Sequence, residues 1–325
     1  MTVKCEIILQ TAKDGVFRPG ESVIGTVKYF IDVPMKLKTI DISFIGKGTC
    51  QWSRAGPDKR SIEYKPEEEY VNVKKNLFKA RVDQEVRQSG TFKYPFEFLL
   101  PDDVPSSIKT NTGGKIEYKV TVIFVRLKGN IHEFIKEIPV YGYVRPCSPE
   151  PLIFGLHKYI FSLTLVKKVD IKGEIERALL TPGENIKLKL AINNDTDFPI
   201  AIQTELIEHV TYVSDYGERS VASTPVITTK TNSTTMAEQS LSVINCVVPT
   251  LTSLYSIQSA KVLIRGYRVR VTATFPSPHI DAVVEVPVVI GERRGHLGAA
   301  VIDYDDGNPS SSKTPDEGAG NLIKL

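Results

Sequence analysis

Pro19-Gly20-Glu21 opens the run Ser22-Val23-Ile24-Gly25-Thr26-Val27-Lys28-Tyr29, and Pro182-Gly183-Glu184 opens Asn185-Ile186-Lys187-Leu188-Lys189-Leu190-Ala191-Ile192. In the first run Val23, Gly25, Val27 and Tyr29 share one side. In the second, Ile186, Leu188, Leu190 and Ile192 do the same, and this two-residue period predicts half-buried β-strands. Proline presets φ and glycine accepts positive φ, so each Pro-Gly predicts a tight turn that aims the following strand into a sheet, with the glutamate at the solvated entrance. One tripeptide used twice predicts two copies of one domain.

A second matched pair supports the duplication. Phe98-Leu99-Leu100-Pro101 precedes a loop and then the alternating run Ile116, Tyr118, Val120, Val122, Phe124. Val247-Val248-Pro249 likewise precedes a loop and Tyr267, Val269 and Val271, at nearly the same proline-to-tyrosine spacing. Val3, Cys5, Ile7 and Leu9 mark a first strand, and Ile40, Ile42 and Phe44 a further one. Phe92, Tyr94, Phe96, Phe98 and Leu100 mark a strand with one wet face.

With 325 residues the chain has room for two domains of ordinary size. Hydrophobic residues at 41% and charged residues at 24% describe a globular body in which each half buries its own core. The net charge of +3, with no basic block, argues against nucleic acid as a partner. Charges in Met1–Glu6 interrupt any signal-peptide core, and no stretch has membrane-spanning length, so secretion and insertion are not expected. Cys5, Cys50, Cys147 and Cys246 are scattered, which suits a reducing cytoplasm and idle thiols. The sequons at Asn194 and Asn232 then read as chance.

The boundaries follow from composition. A first β-sandwich is expected over 1–145, a Pro-rich linker over 146–152 and a second sandwich over 153–291, with a disordered Ser-, Gly-, Pro- and acid-rich tail over 292–325. Phe161, Leu163 and Leu165 are read as beginning the second set of strands, Leu241, Val243 and Val247 as continuing it, and Val284, Val286, Val288 and Ile290 as closing it. Phe78, Val82 and Val86 fit either one short amphipathic helix within Asn76–Gln88 or an irregular strand connection. The fold class is thus all-β: two tandem immunoglobulin-like antiparallel β-sandwiches.

Signatures of common hydrolases, nucleotide-binding loops and zinc enzymes are missing, and no cofactor or metal is expected. Gly46-Lys47-Gly48-Thr49 lacks the third glycine of a dinucleotide loop and reads as relief at a strand end. The five histidines have no partner at metal-ligand spacing. Two basic groups, Lys74, Lys75, Lys79 and Arg81, and Arg265, Arg268 and Arg270, suit either a phosphorylated tail or anionic lipid, or simply a solvated strand face.

The two Pro-Gly-Glu turns, Leu100-Pro101 followed by Pro105-Ser106-Ser107, and Gly114-Lys115-Ile116-Glu117-Tyr118-Lys119-Val120 together resemble the arrestin superfamily from about Val3 to Gly291. Leu156-His157-Lys158-Tyr159 and Pro287-Val288-Val289-Ile290-Gly291 resemble its arrestin-domain-containing, or α-arrestin, branch. Pro19, Gly20, Glu21, Pro101, Tyr118, Pro182, Gly183, Glu184, Pro249 and Tyr267 carry the fold motifs. The resemblance implies a non-catalytic adaptor in the cytoplasm, recruited to plasma membrane or endosomes by peripheral association. Its implied partners are tails of receptors or transporters and trafficking machinery for endocytosis, sorting or ubiquitination. Many members dock WW-domain ligases through Pro-Pro-x-Tyr, but this sequence contains no Pro-Pro, so that route is not expected. The strand Val3–Gln10 is expected at a sheet edge, where a cargo strand could add and where proline at Ile8 would block it. The alternatives are a thiol-dependent regulator of thioredoxin-binding type, which requires an exposed low-pKa cysteine, and a retromer-like coat subunit.

Overall fold

The computed structural model describes residues 3–10, 12–56, 60–80, 86–127, 131–161, 166–217, 219–226, 231–235 and 239–294. The expectations placed on Arg81, Val82, Leu163, Leu165 and the tail from residue 295 lie outside these residues. Among the described residues the chain is nearly all strand, with one 3-10 turn at Lys13–Gly15.

The first half contributes β1 (Val3–Leu9), β2 (Ser22–Ile31), β3 (Met35–Thr49), β4 (Trp52–Ala55), β5 (Ser61–Tyr64) and β6 (Glu67–Lys79). It continues with β7 (Val86–Arg87), β8 (Gly90–Leu99), β9 (Ile108–Lys109), β10 (Lys115–Arg126) and β11 (Ile131–Glu137). One sheet runs β1-β2-β8 and the facing one β11-β10-β3-β6, all antiparallel. The second half contributes β12 (Leu152–Phe161), β13 (Val166–Ile175), β14 (Leu179–Leu180), β15 (Ile186–Asn194) and β16 (Ile200–Val213). Then come β17 (Arg219–Pro225), β18 (Thr231–Thr235), β19 (Gln239–Val248), β20 (Leu263–Thr274) and β21 (Ala282–Ile290). Its sheets run β12-β13-β15-β19 and β14-β21-β20-β16-β17.

The two Pro-Gly-Glu turns are built alike, atom for atom. Gly20 has φ +83° and Gly183 has φ +86°. The Glu21 N–H donates to Arg18 O at 3.0 Å, and the Glu184 N–H to Thr181 O at 2.9 Å. Each glutamate then turns its carboxylate back onto the amide at the start of its own turn. Glu21 accepts from the Arg18 N–H at 2.8 Å and Glu184 from the Thr181 N–H at 3.0 Å. The glutamate therefore closes the turn as well as facing water. That amide, reinforced by the Thr181 hydroxyl and Arg177, holds the Glu184 carboxyl below its usual pKa.

Alternation then fills the interiors. Val23, Val27 and Tyr29 face Phe44, Val120, Val122 and Phe124, whereas Ile186, Leu188, Leu190 and Ile192 face Val269, Val271 and Leu206. Tyr118 and Tyr267 are both buried, and burial raises both pKa values. The Tyr118 hydroxyl donates to the Pro105 carbonyl at 2.8 Å, whereas the Tyr267 hydroxyl lies against the Tyr255 backbone, which opposes the rise in its pKa.

Several expectations are corrected. The segment around Phe78 is strand, since β6 continues to Lys79 and pairs with β3; no helix forms there among the described residues. Phe161 ends a strand of the second half rather than beginning one, because β12 starts at Leu152. Leu241, Val243 and Val247 lie on a strand but on its outer face, with Leu241 63% exposed, while Cys246 and Val248 point inward. Gly46 and Gly48 leave room for side chains: a Cβ at Gly46 would strike the Tyr118 ring, and one at Gly48 the Tyr70 hydroxyl and Val262.

The two tyrosines generate a contrast. Tyr118→Phe strands a buried carbonyl and is expected to lower unfolding free energy by about 1–3 kcal/mol. Tyr267→Phe removes a hydroxyl approached by the Tyr255 backbone but donating to no carbonyl, and is expected to cost less than Tyr118→Phe in the same urea titration.

Candidate protein-docking site

The two halves share a seam. Val210, Tyr212, Ile257, Ala260, Val262 and Leu263 of the second half pack into the core cluster of the first. The halves are therefore not packed around wholly separate cores. Gly114 gives Tyr212 and Leu263 their room, since a Cβ there would strike both. Polar bonds close the seam. The Cys50 thiol donates to Val262 O at 3.3 Å, and the Glu68 carboxylate accepts from the Lys261 N–H at 2.7 Å and the Val262 N–H at 3.4 Å. Tyr70 donates to the same carboxylate at 3.0 Å.

At one rim the seam opens onto loops from both halves. The β4–β5 hairpin stacks Trp52 between Tyr64 and Tyr212, with ring centroids 5.1 and 6.2 Å away. The loop between β9 and β10 reaches the same tyrosine, its Thr110 hydroxyl 2.8 Å from the Tyr212 hydroxyl and Thr112 also in contact. Tyr212 thus holds the hairpin and the loop in place. The turn after β16, closed by the Gly217 N–H on Ser214 O at 3.0 Å, carries Tyr216 at 93% exposure. Ile62 on the hairpin is exposed too. An exposed aromatic and an aliphatic side chain on a buttressed rim suit an apolar anchor on a protein partner.

Beside the rim lies a cleft of about 440 Å³ between the halves, lined among others by Ser107, Thr110, Thr224, Tyr255 and Arg265. Tyr141 and Tyr255 both line it, their ring centroids 3.9 Å apart, and join the sandwiches again. Arg18, at the first Pro-Gly-Glu turn, reaches Glu292 after β21 through Nε at 2.7 Å and Nη2 at 3.0 Å. This two-pronged bond raises the arginine pKa further. Arg294 meets Asp102 at 3.1 Å in a second tie.

The basic groups of the sequence are split, and Lys74, Lys75, Arg265, Arg268 and Arg270 are engaged by the chain itself. Lys74 pairs with Asp41 at 3.1 Å, whereas Lys75 donates to Glu97 O at 2.6 Å and lies 4.9 Å from the Phe98 ring centroid. Lys79 is exposed. Arg265 turns toward the cleft and pairs with Glu208. Arg268 reaches Glu285 at 3.3 Å, while Arg270 reaches Glu285 at 2.7 Å and Glu205 at 3.4 Å. An external anion would have to displace these carboxylates. His209 sits within this network, 2.9 Å from the Ser223 hydroxyl and 3.5 Å from Glu285.

Strand β1 has β2 as its hydrogen-bonded sheet neighbour, with Val3 buried and Ile8 and Gln10 exposed. The Gln10 N–H donates to Ile24 O at 2.9 Å. Alternation along an antiparallel ladder then commits Ile8, opposite Thr26, to β2 as well. The backbone groups facing outward are those of Cys5 and Ile7, so a proline that blocks an added strand belongs there and not at Ile8. Burial pushes the Cys5 thiol up to about 12 and Cys50 up to about 11, and raises Cys246. None of these three is a ready thiolate.

Comparison with known proteins agrees with this geometry. The arrestin (or S-antigen) N-terminal domain model matches residues 5–145, and the arrestin C-terminal domain model residues 166–294. Human arrestin domain-containing protein 5 is 23% identical over 314 residues, covering 89% of this chain and 88% of its own. Human arrestin domain-containing protein 4 is 23% identical over 219 residues, 64% of this chain and 52% of its own; the mouse protein of that name is 22% identical over 226 residues, 66% and 54%. These define a two-domain arrestin-fold protein. The chain belongs to the arrestin family, and it spans about half the length of the arrestin domain-containing protein 4 sequences it matches.

Two outcomes follow from the seam and the outer network. Arg18→Ala removes a charge-assisted pair that is largely shielded from water, and is expected to cost about 1.5–3 kcal/mol in denaturant unfolding. Burial, aided by Arg268 and Arg270 and opposed by Glu285, lowers the His209 pKa. The folded chain then binds fewer protons there than the unfolded chain. The histidine's contribution is full above about pH 6.5 and is lost as pH falls below it. His209→Gln should flatten that part of the stability profile between pH 7 and 5.

Proposed function

We propose that this protein is a non-catalytic adaptor. It binds cytoplasmic segments of membrane receptors or transporters, or other protein cargo, and connects them to endocytic, sorting or ubiquitination machinery. The observation supporting this reading most directly is the rim, where loops of both halves are locked through Tyr212 and offer Tyr216 and Ile62 to a partner. A buttressed surface loses little conformational entropy on binding. Family membership supports protein partners in general.

Proximity labelling with the intact chain should enrich integral membrane proteins together with trafficking components. Tyr216→Asp should reduce that enrichment several-fold without changing the unfolding midpoint. A neighbour set without membrane proteins would refute the proposal, and one unchanged by Tyr216→Asp would move the docking site away from the rim.

A further inference from the structure

Strand β12 presents an edge unlike that of β1. Its hydrogen-bonded neighbour is β13, and β21, across the sandwich, makes no backbone hydrogen bond to it among the described residues. Edges are usually guarded by charge, proline or a bulge. The outward side chains of β1 include Lys4 and Glu6, but those of β12 are Ile153, Gly155, His157, Tyr159 and Phe161. Ile153 is 82% exposed, Tyr159 54% and Phe161 74%.

The same five residues hold the backbone groups that no strand among the described residues takes up. The Asp195 N–H bonds Lys168 O and the Glu176 N–H bonds Lys187 O, each at 3.2 Å. Even-numbered residues of β13 are thereby committed to β15, and its odd-numbered residues to β12. Opposite those odd residues stand Leu152, Phe154, Leu156, Lys158 and Ile160. Ile153, Gly155, His157, Tyr159 and Phe161 therefore direct N–H and C=O away from the sheet.

We propose that this edge is a self-association site, at which β12 of one copy pairs antiparallel with β12 of a second copy about a two-fold axis through His157. The strand is self-complementary in that register. Ile153 falls opposite Phe161 of the second copy, an apolar pair at each end, and Gly155 opposite Tyr159, whose ring can cover the bare glycine. Phe154 falls opposite Ile160 on the inner side. All five outward donor and acceptor sets are used, and the contact closes as a symmetric dimer. At the axis each His157 already bonds Asp170 of its own copy, which Lys168 also reaches at 2.6 Å.

Sedimentation velocity of the intact chain over a dilution series should show a concentration-dependent dimer. Tyr159→Lys and Phe161→Lys, both at exposed positions, should yield monomer at every concentration with unchanged thermal unfolding. Leu241→Lys, on the opposite edge strand of the same sheet, should leave the dimer intact. Oxidised His157→Cys should give a covalent dimer in larger yield than the unmutated chain, since facing Cα atoms about 5.5 Å apart admit a disulfide. A chain that is monomeric throughout, or a dimer that survives Tyr159→Lys, would overturn the proposal. So would a dimer that appears only after removal of residues 295–325, because the chain's own tail would then be the occupant.

Discussion

Val262 is a residue of the second half by position and of the first half's core by contact, and the architecture depends on that double membership. Around it the apolar interior runs continuously from β3 and β10 of one sandwich to β16 and β20 of the other. The polar groups at the seam are satisfied across it: the Glu68 carboxylate takes two backbone N–H groups of the opposite half, and Tyr212 joins hydroxyls on the loop after β9. Separating the halves would leave those groups buried or newly hydrated without their partners, in addition to exposing apolar rings. The rim loops owe their fixed positions to the same tyrosine.

The duplication extends below the level of motifs. Besides the two turns, each half places a buried serine hydroxyl in the loop that follows its matched proline. The Gly142 N–H donates to Ser106 at 2.9 Å and the Ile290 N–H to Ser256 at 3.0 Å, each fixing the last stretch of its sandwich. Tyr118 keeps its carbonyl partner and Tyr267 does not.

How far the sequence could be read follows from what a period of two contains. The period places β2, β8, β10 and β15 and their buried faces, because apolar and polar residues alternate along them. It cannot say which face is inner when both are apolar, and the outer stripe of Leu241, Val243 and Val247 deceives for that reason. Nor does it report contacts between distant segments. Tyr212, Glu68 and Val262 look like ordinary strand residues, and their role arises only when two sandwiches meet. Gly114 and Gly48, where a Cβ would strike Tyr212 and Val262, are the local marks of close approach. The basic clusters illustrate the same limit, since sequence supplies the cations but not the carboxylates of neighbouring strands that claim them.

The Pro-rich stretch between the sandwiches reads as a linker in sequence, yet the halves are tied elsewhere, at Arg18 to Glu292, Tyr141 to Tyr255 and Cys50 to Val262. The inheritable unit is consequently the pair. A sandwich transplanted from a relative would arrive with the wrong half of an interlocking surface, so recombination within the family is constrained to exchange whole bodies or to preserve the matched residues on both sides.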